Sequence, residues 1–248
     1  MKNNPDSLPW IPAIWDAPPG INAGITTRVG GFSKAPFNAF NLANHVGDDK
    51  LDVRKNRSKL IADLNLENEP VWLNQIHQNR IVTADGNINI VADGAITSTP
   101  GIPCVVMTAD CVPLLICNQD GDTIGAIHVG WRGLVSGIVH NAVKVFDTSP
   151  DQLMVWIGPH IKEDNYEVGP DVYHSCLEID DNLKSAFKRK DSTHWYANLE
   201  AMIKYLLNKS GVWNIYSSSY CTYLDEDNFF SYRRNQTTGR MASMIWMV

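Results

Sequence analysis

Cys111, His128 and Arg132 place a thiol, an imidazole and a guanidinium within 21 residues, each beside a small residue or at the end of an apolar run. A thiol and an imidazole together support two chemistries. They can act as nucleophile and general base, or both can ligate a metal ion. A catalytic zinc takes three protein ligands from Cys, His or carboxylate and keeps a fourth position open for water or substrate. His77, Cys111 and His128 supply such a set. Their spacings of 34 and 17 residues are too long for a zinc finger or ribbon, so a site built from them joins separate elements. The choice between the two chemistries decides the function.

Those elements are legible as short apolar runs. Thr123 to Ile127 reads as a buried strand from which His128 emerges, Val105 to Thr108 as a similar strand followed by Cys111, and Val71 to His77 as an apolar-rich strand ending at the third candidate. Val135, Ile138, Val139, Ala142, Val143 and Phe146 follow helical spacing. A helix is therefore expected just after Gly133, its amino end beside His128 and Arg132, where unpaired N–H groups favour an anion. Asp49 is placed to cap a helix running to about Leu64. Leu199, Met202, Ile203, Leu206 and Leu207 mark another, with Asn198 as its cap and Gly211 just past its end. Strands are expected at Leu153–Ile157, Val212–Ser217, Phe229–Arg233 and Met241–Met247, and residues 36–49 as an ordered polar loop. Mixed helical and sheet layers follow, an α+β fold.

At 248 residues, 44% hydrophobic and 19% charged, the chain can bury a full core as one large domain. A net charge of -6 argues against nucleic acid or an anionic membrane surface as partner. Met1 to Asp6 carries no apolar signal core, and no run approaches the length of a membrane span. The five cysteines (Cys104, Cys111, Cys117, Cys176 and Cys221) are odd in number and form no C-x-x-C pair. Reduced thiols and a cytoplasmic location are the expectation. No repeat, low-complexity stretch or linker interrupts the chain, and a monomer is the expected state.

Longer strings carry a resemblance. Trp72-Leu73-Asn74-Gln75-Ile76-His77, Met107-Thr108-Ala109-Asp110-Cys111-Val112-Pro113, His128-Val129-Gly130-Trp131-Arg132-Gly133, Trp156-Ile157-Gly158-Pro159, Tyr166-Glu167-Val168-Gly169 and Cys221-Thr222-Tyr223 are similar to one family. Phe229-Phe230-Ser231-Tyr232-Arg233-Arg234 and Thr238-Gly239-Arg240-Met241-Ala242-Ser243 are similar to it too. It is the YfiH-like family, variously labelled laccase-domain polyphenol oxidase, purine nucleoside phosphorylase and peptidoglycan editing factor. The similarity runs from Thr26 to the C-terminus. It implies one catalytic domain over residues 1–248, with 1–20 as an N-terminal extension or strand, folded as a four-layer αββα sandwich with mixed sheets. It also implies zinc held by His77, Cys111 and His128. Copper is possible in the same site, since divalent copper outcompetes zinc at such ligands. Gln78 stands where the family has Gly, Val129 where it has Ala, and Asn235-Gln236 where Asp-Gly is common. None of these departures removes a ligand, and Gln78 is expected to reshape the pocket rim.

Around the ligand set stand further candidates. Asp110 either orients a ligand or substrate amine, or caps a turn. Arg28, Arg132, Arg233 and Arg234 are candidates to clamp phosphate with their planar forks. Strand alternation would send Arg233 and Arg234 to opposite faces, leaving at most one in the pocket. Glu167 is placed to meet a ribose hydroxyl or to pair with an Arg, and Asn41 and Gln75 are neutral groups of the sort that orient a nucleoside. His45, His140, His160, His174 and His194 have no matching partners and are read as structural. Of Trp72, Trp131 and Trp156, one can stack on a base.

Three readings follow. The resemblance implies a zinc-dependent purine nucleoside phosphorylase acting on inosine, adenosine, guanosine and methylthioadenosine, with phosphate as co-substrate and adenosine deamination as a side activity. The second is a cysteine hydrolase editing a peptidoglycan precursor peptide, with Cys111 as nucleophile and His128 as base. A thiolate on zinc is a poorer nucleophile, so metal occupancy separates these two. The third is a copper polyphenol oxidase. Multicopper oxidases rely on paired His-x-His motifs, whereas all seven histidines here are isolated, which sets this reading last.

Overall fold

Successive side chains of a strand point to opposite faces, and in this chain both faces are buried. From Val112 to Asn118, Leu114 and Ile116 enter one apolar cluster while Leu115 and Cys117 enter a second. From Met241 to Met247, Met241, Ile245 and Met247 join that second cluster, and Ala242, Met244 and Trp246 a third. Two sheets stacked face to face, each with an outer cover, satisfy this pattern.

The computed structural model describes residues 9–84 and 90–248, so the Met1 to Asp6 segment and the start of the expected N-terminal extension lie outside the described residues. The first half of the chain forms β1 (Trp10–Pro12), β2 (Ile21–Thr26), α1 (Lys50–Asp63), β3 (Leu73–Asn74), β4 (Ile81–Thr83), β5 (Ile90–Val91), β6 (Gly94–Thr97), β7 (Cys104–Thr108), β8 (Val112–Asn118) and β9 (Ile124–Val129). The second forms α2 (Trp131–Val135), α3 (Ile138–Lys144), β10 (Leu153–Ile157), β11 (Glu167–Val168), α4 (Pro170–Ile179), β12 (Phe187–Arg189), β13 (Trp195–Ala197), α5 (Leu199–Lys209), β14 (Asn214–Ser217) and β15 (Met241–Met247).

One sheet has the order β1-β2-β15-β7 and is antiparallel throughout. The other has the order β14-β10-β8-β9-β6-β4, with its two outer pairs parallel and the rest antiparallel. The second cluster lies between them. Residues of α2, α3, α4 and α5 cover the six-stranded sheet, and α1 covers the four-stranded one through Leu60. The result is a mixed-sheet α+β fold in four layers, αββα. Among the described residues no helix is long and apolar enough to cross a membrane.

Several expected elements form with their caps. Asp49 accepts from Leu51 N at the start of α1, and Asn198 accepts from Ala201 N at the start of α5. Others differ for local reasons. The helix expected after Gly133 begins at Trp131, where Leu134 N already donates to Gly130 O, and it ends after five residues. Gly137, at φ 87°, then breaks the apolar stripe before α3. The strand expected from Val212 starts at Asn214, because Val212 N donates to Leu207 O and closes α5 instead. Phe229–Arg233 is not a strand. In place of ladder pairs it makes local backbone turns, from Phe229 N to Asp225 O and from Asn235 N to Ser231 O, so the alternation argument for Arg233 and Arg234 does not apply. The run from Val71 shortens to β3, and His77 lies in a bend beyond it.

Candidate metal centre and its cleft

Cys111 occupies the point where the chain leaves one sheet for the other. Thr108 ends β7 in the four-stranded sheet and Val112 begins β8 in the six-stranded one. His128 is next to last in β9, paired in register with Pro113, which brings its side chain beside Cys111. His77 arrives from the bend after β3. The ligand atoms of these three residues all lie within 4.8 Å of one another. His128 is buried, Cys111 half-buried and His77 exposed, so the cluster opens to solvent on the His77 side.

Asp93, fully buried ahead of β6, organises two of the three. Its carboxylate accepts from the backbone N–H groups of Ile76 (3.3 Å), His77 (2.8 Å) and Gln78 (2.8 Å), and meets His128 Nδ1 at 2.9 Å. One side chain thus fixes the bend carrying His77 and engages Nδ1 of His128, leaving Nε2 for the thiol. His77 at φ 58° and Asp110 at φ 98° are two of the three non-glycine residues with positive φ among the described residues. Such backbone costs about 1–3 kcal/mol and persists where surrounding bonds impose it. For Asp110 those bonds are from Thr222 Oγ1 (2.7 Å), Ser231 Oγ (3.0 Å) and Arg233 N (2.7 Å).

The electrostatics favour the ligand form of the thiol. Burial raises the Cys111 pKa, but the His128 imidazolium and hydrogen bonds with His128 and His77 outweigh it and hold the thiol well below its ordinary value. Burial likewise opposes charge on His128, and the Cys111 thiolate and Asp93 reverse that. Cys104, Cys117 and Cys176, by contrast, are pushed up by burial. Gly130 leaves room for the cluster, since a Cβ there would stand 3.1 Å from Cys111 Sγ and 3.3 Å from His77 Cδ2. A polarised thiolate, a free Nε2 and a second imidazole within reach of one point are a donor set that fits zinc.

The cluster lines a cleft of about 490 Å³. A larger groove of about 640 Å³ between α3 and α5 carries no thiol or carboxylate in its lining, so the chemistry singles out the smaller one. Of the sequence-predicted residues, His77, Cys111, His128, Asp110, Gln75, Arg132 and Arg233 line this cleft. Within it, Asp110 is spent on holding the C-terminal segment, and Gln75 is bonded to both the N–H and the C=O of Met107. Arg28, Asn41, Glu167 and Arg234 are not brought to its lining. Arg28 donates to Asn38 O and Glu226 O, and Arg234 to Thr222 O, Tyr223 O and Phe229 O. Glu167 pairs with Lys190 at the surface, and Asn41 is fully buried. His45, read from the sequence as structural, instead lines the cleft together with Tyr166, Tyr232 and Arg240. No spacing rule connects Asp93 or His45 with the ligands. Arg240 stood inside a recognisable string without a chemical partner nearby in sequence.

The family model described as multi-copper polyphenol oxidoreductase laccase matches residues 22–248. The chain belongs to this laccase-domain family. Its YfiH-named members include a protein of Escherichia coli called purine nucleoside phosphorylase YfiH, 39% identical over 236 residues, 94% of this chain and 97% of that one. A purine nucleoside phosphorylase of Haemophilus influenzae is 40% identical over 235 residues, 94% and 96% of the two chains. Among solved structures of the family, Neisseria meningitidis protein NMB0706 superposes with a TM-score of 0.92 at 38% identity, covering 96% of this chain and 99% of that one.

Proposed function

We propose that this protein is a zinc-dependent purine nucleoside phosphorylase that cleaves inosine, adenosine, guanosine and methylthioadenosine, with adenosine deamination as a side activity of the same pocket. The observation that carries the proposal is the convergence of His77, Cys111 and His128 in a cleft whose lining also presents three guanidiniums. The names of the relatives at 39% and 40% identity support the substrate class.

In phosphorolysis a phosphate oxygen bonds to ribose C1′ as the bond from C1′ to the purine nitrogen breaks. The electron pair leaves with the purine, which takes up a proton, and ribose 1-phosphate remains. The protein must therefore bind an anion, hold a flat base and exclude competing water. Arg132, Arg233 and Arg240 line the cleft, and the one carboxylate among its lining residues, Asp110, is committed to internal bonds. The cleft is thus biased towards an anionic co-substrate. Tyr166, Tyr232 and Trp131 supply aromatic surface for the base. His77, Cys111 and His128 would hold the metal, which when bound supplies Lewis acidity in the cleft. The test is product analysis on inosine. Hypoxanthine and ribose 1-phosphate should form only when phosphate is present, whereas deamination of adenosine should proceed without it. Release of hypoxanthine at equal rates with and without phosphate would sink the phosphorylase reading.

One observation favours a second reading. Cys111, His128 and Asp93 form a thiol–imidazole–carboxylate series, the arrangement of a cysteine hydrolase. Such an enzyme would act on a peptide of a cell-wall precursor, and it would work best without the metal. Activity that rises when chelator strips the protein supports this reading, and activity that falls supports the phosphorylase.

A further inference from the structure

Resting on the phosphorolytic reading, a question remains about which of the cleft guanidiniums takes the anion. We propose that Arg240, steadied by Asn41 and accompanied by His45, is the phosphate anchor of the cleft.

The sheet register puts Arg240 there. Met241 opens β15 opposite Thr108, the last residue of β7. Arg240 therefore sits one residue before the pair, at the same sheet end as Ala109, Asp110 and Cys111. Its side chain is half-buried, whereas Arg132 and Arg233 are exposed. All three guanidiniums lie over an aromatic ring, Arg132 over Trp131, Arg233 over Tyr166 and Arg240 over Tyr232, and Arg233 also donates to Glu167 O. An exposed cation is screened by water, so its pull on an anion is worth less than that of a partly desolvated one.

Arg240 is also held in place. One terminal nitrogen donates to Thr238 O (2.8 Å) and Gly239 O (2.9 Å). Among the described residues, Nε and the second terminal nitrogen donate to no protein atom, which leaves two nitrogens of the planar fork for a ligand. The backbone is pinned as well, because Arg240 N donates to Asn41 Oδ1 at 3.0 Å. Asn41 is itself oriented by Asp48 Oδ2 (2.8 Å) and by the N–H and C=O of Ala43. At Gly239 a Cβ would meet Phe230 Cζ at 2.6 Å and Asn41 Cβ at 2.9 Å, so this tight turn admits only glycine. Asn41 thus acts through Arg240 as a positioning residue. His45 shares the lining with Arg240 and Gln75, which puts an imidazole in the same cleft as the guanidinium.

The experiment measures phosphate twice, as a substrate and as a bare ligand. In zinc-loaded protein, Arg240→Gln should raise the phosphate KM at least tenfold while the inosine KM stays within about twofold. Arg240→Lys, which keeps the charge and loses the fork, should fall between the two. Asn41→Ala should raise the phosphate KM with little change in kcat at saturating phosphate. Inorganic phosphate alone should raise the melting temperature of wild type, and that shift should disappear in Arg240→Gln. Phosphate-dependent cleavage by an Arg240→Gln protein with an unchanged phosphate KM overturns the anchor and leaves the phosphorylase reading standing. A wild type that cleaves no nucleoside but loses its phosphate-induced melting shift on Arg240→Gln keeps the anchor and removes the reading. If Arg240→Gln does not fold, an Arg240→Lys protein with wild-type phosphate KM and melting shift overturns the anchor by itself.

Discussion

Two of the three donors, His77 and His128, are held by the same carboxylate. Asp93 accepts two backbone N–H groups from the bend around His77 at 2.8 Å and one ring nitrogen of His128 at 2.9 Å. Burial alone would raise its pKa, but the His128 bond and the backbone donors hold it below the ordinary carboxylate value. Asp93→Asn preserves shape but replaces one acceptor by a donor aimed at groups that themselves donate. Outer-shell partners of metal ligands are worth about 10–100-fold in metal affinity. We expect zinc affinity, read by competition with a chromogenic chelator, to fall by that factor. Cys111→Ala removes a ligand outright and should lose more. An Asp93→Asn protein with wild-type zinc affinity would show that the carboxylate is a structural bond only.

Elements bring these residues within reach, and glycine at the right place leaves them room. Gly130 precedes α2 with φ -88° and ψ 168°, a backbone any residue adopts. Its missing Cβ is needed only because Cys111 Sγ and His77 Cδ2 stand at 3.1 and 3.3 Å from where the atom would be. Gly130→Ala should therefore weaken zinc binding by about tenfold, equivalent to about 1.4 kcal/mol, with little change in melting temperature. Equal affinity in the two proteins would show that the ligands yield without cost. The amino end of α5 carries a second test. Burial raises the Glu200 pKa, but His160, Lys162 and Lys204 outweigh it and hold the carboxylate well below its ordinary 4.5. A depressed folded-state pKa adds stability above the unfolded value, and that stability is lost as pH falls. Wild type should exceed Glu200→Gln by on the order of 1 kcal/mol near neutral pH, the side chain being partly exposed. The gap in urea midpoint should close below about pH 4.5, and parallel curves across that range would refute the assignment. At this scale the sequence was readable where a local cap or a short apolar run set the element, as in α1, α5, β10 and β15. It was unreadable where distant groups set the backbone. Nothing near His77 in sequence announces Asp93, and nothing in Phe229 to Arg233 announces that Asp110, over 100 residues away, captures Arg233 N and Ser231 Oγ.

The whole molecule holds its histidines in separate places. His77 and His128 share the metal-ligand cluster, His45 lines the same cleft, and His160 is buried against Glu200. His140 and His174 are exposed, and His194 is half-buried. Among the described residues, the only group of three or more His, Cys, Asp or Glu side chains able to hold an ion is His77, Cys111 and His128. The family description speaks of several coppers, and reduction of dioxygen during phenol oxidation draws on several clustered ions. This fold assembles donors for one. Copper can still enter that site, because divalent copper binds nitrogen and sulfur donors more tightly than zinc. Occupancy and oxidase activity therefore come apart. Protein reconstituted with copper should bind one equivalent per chain and turn over phenols negligibly. The zinc-loaded protein should show no phenol oxidation and retain phosphate-dependent nucleoside cleavage. Metal analysis together with oxygen consumption on a phenol checks both halves, and sustained oxygen uptake at one copper per chain would overturn the single-site argument.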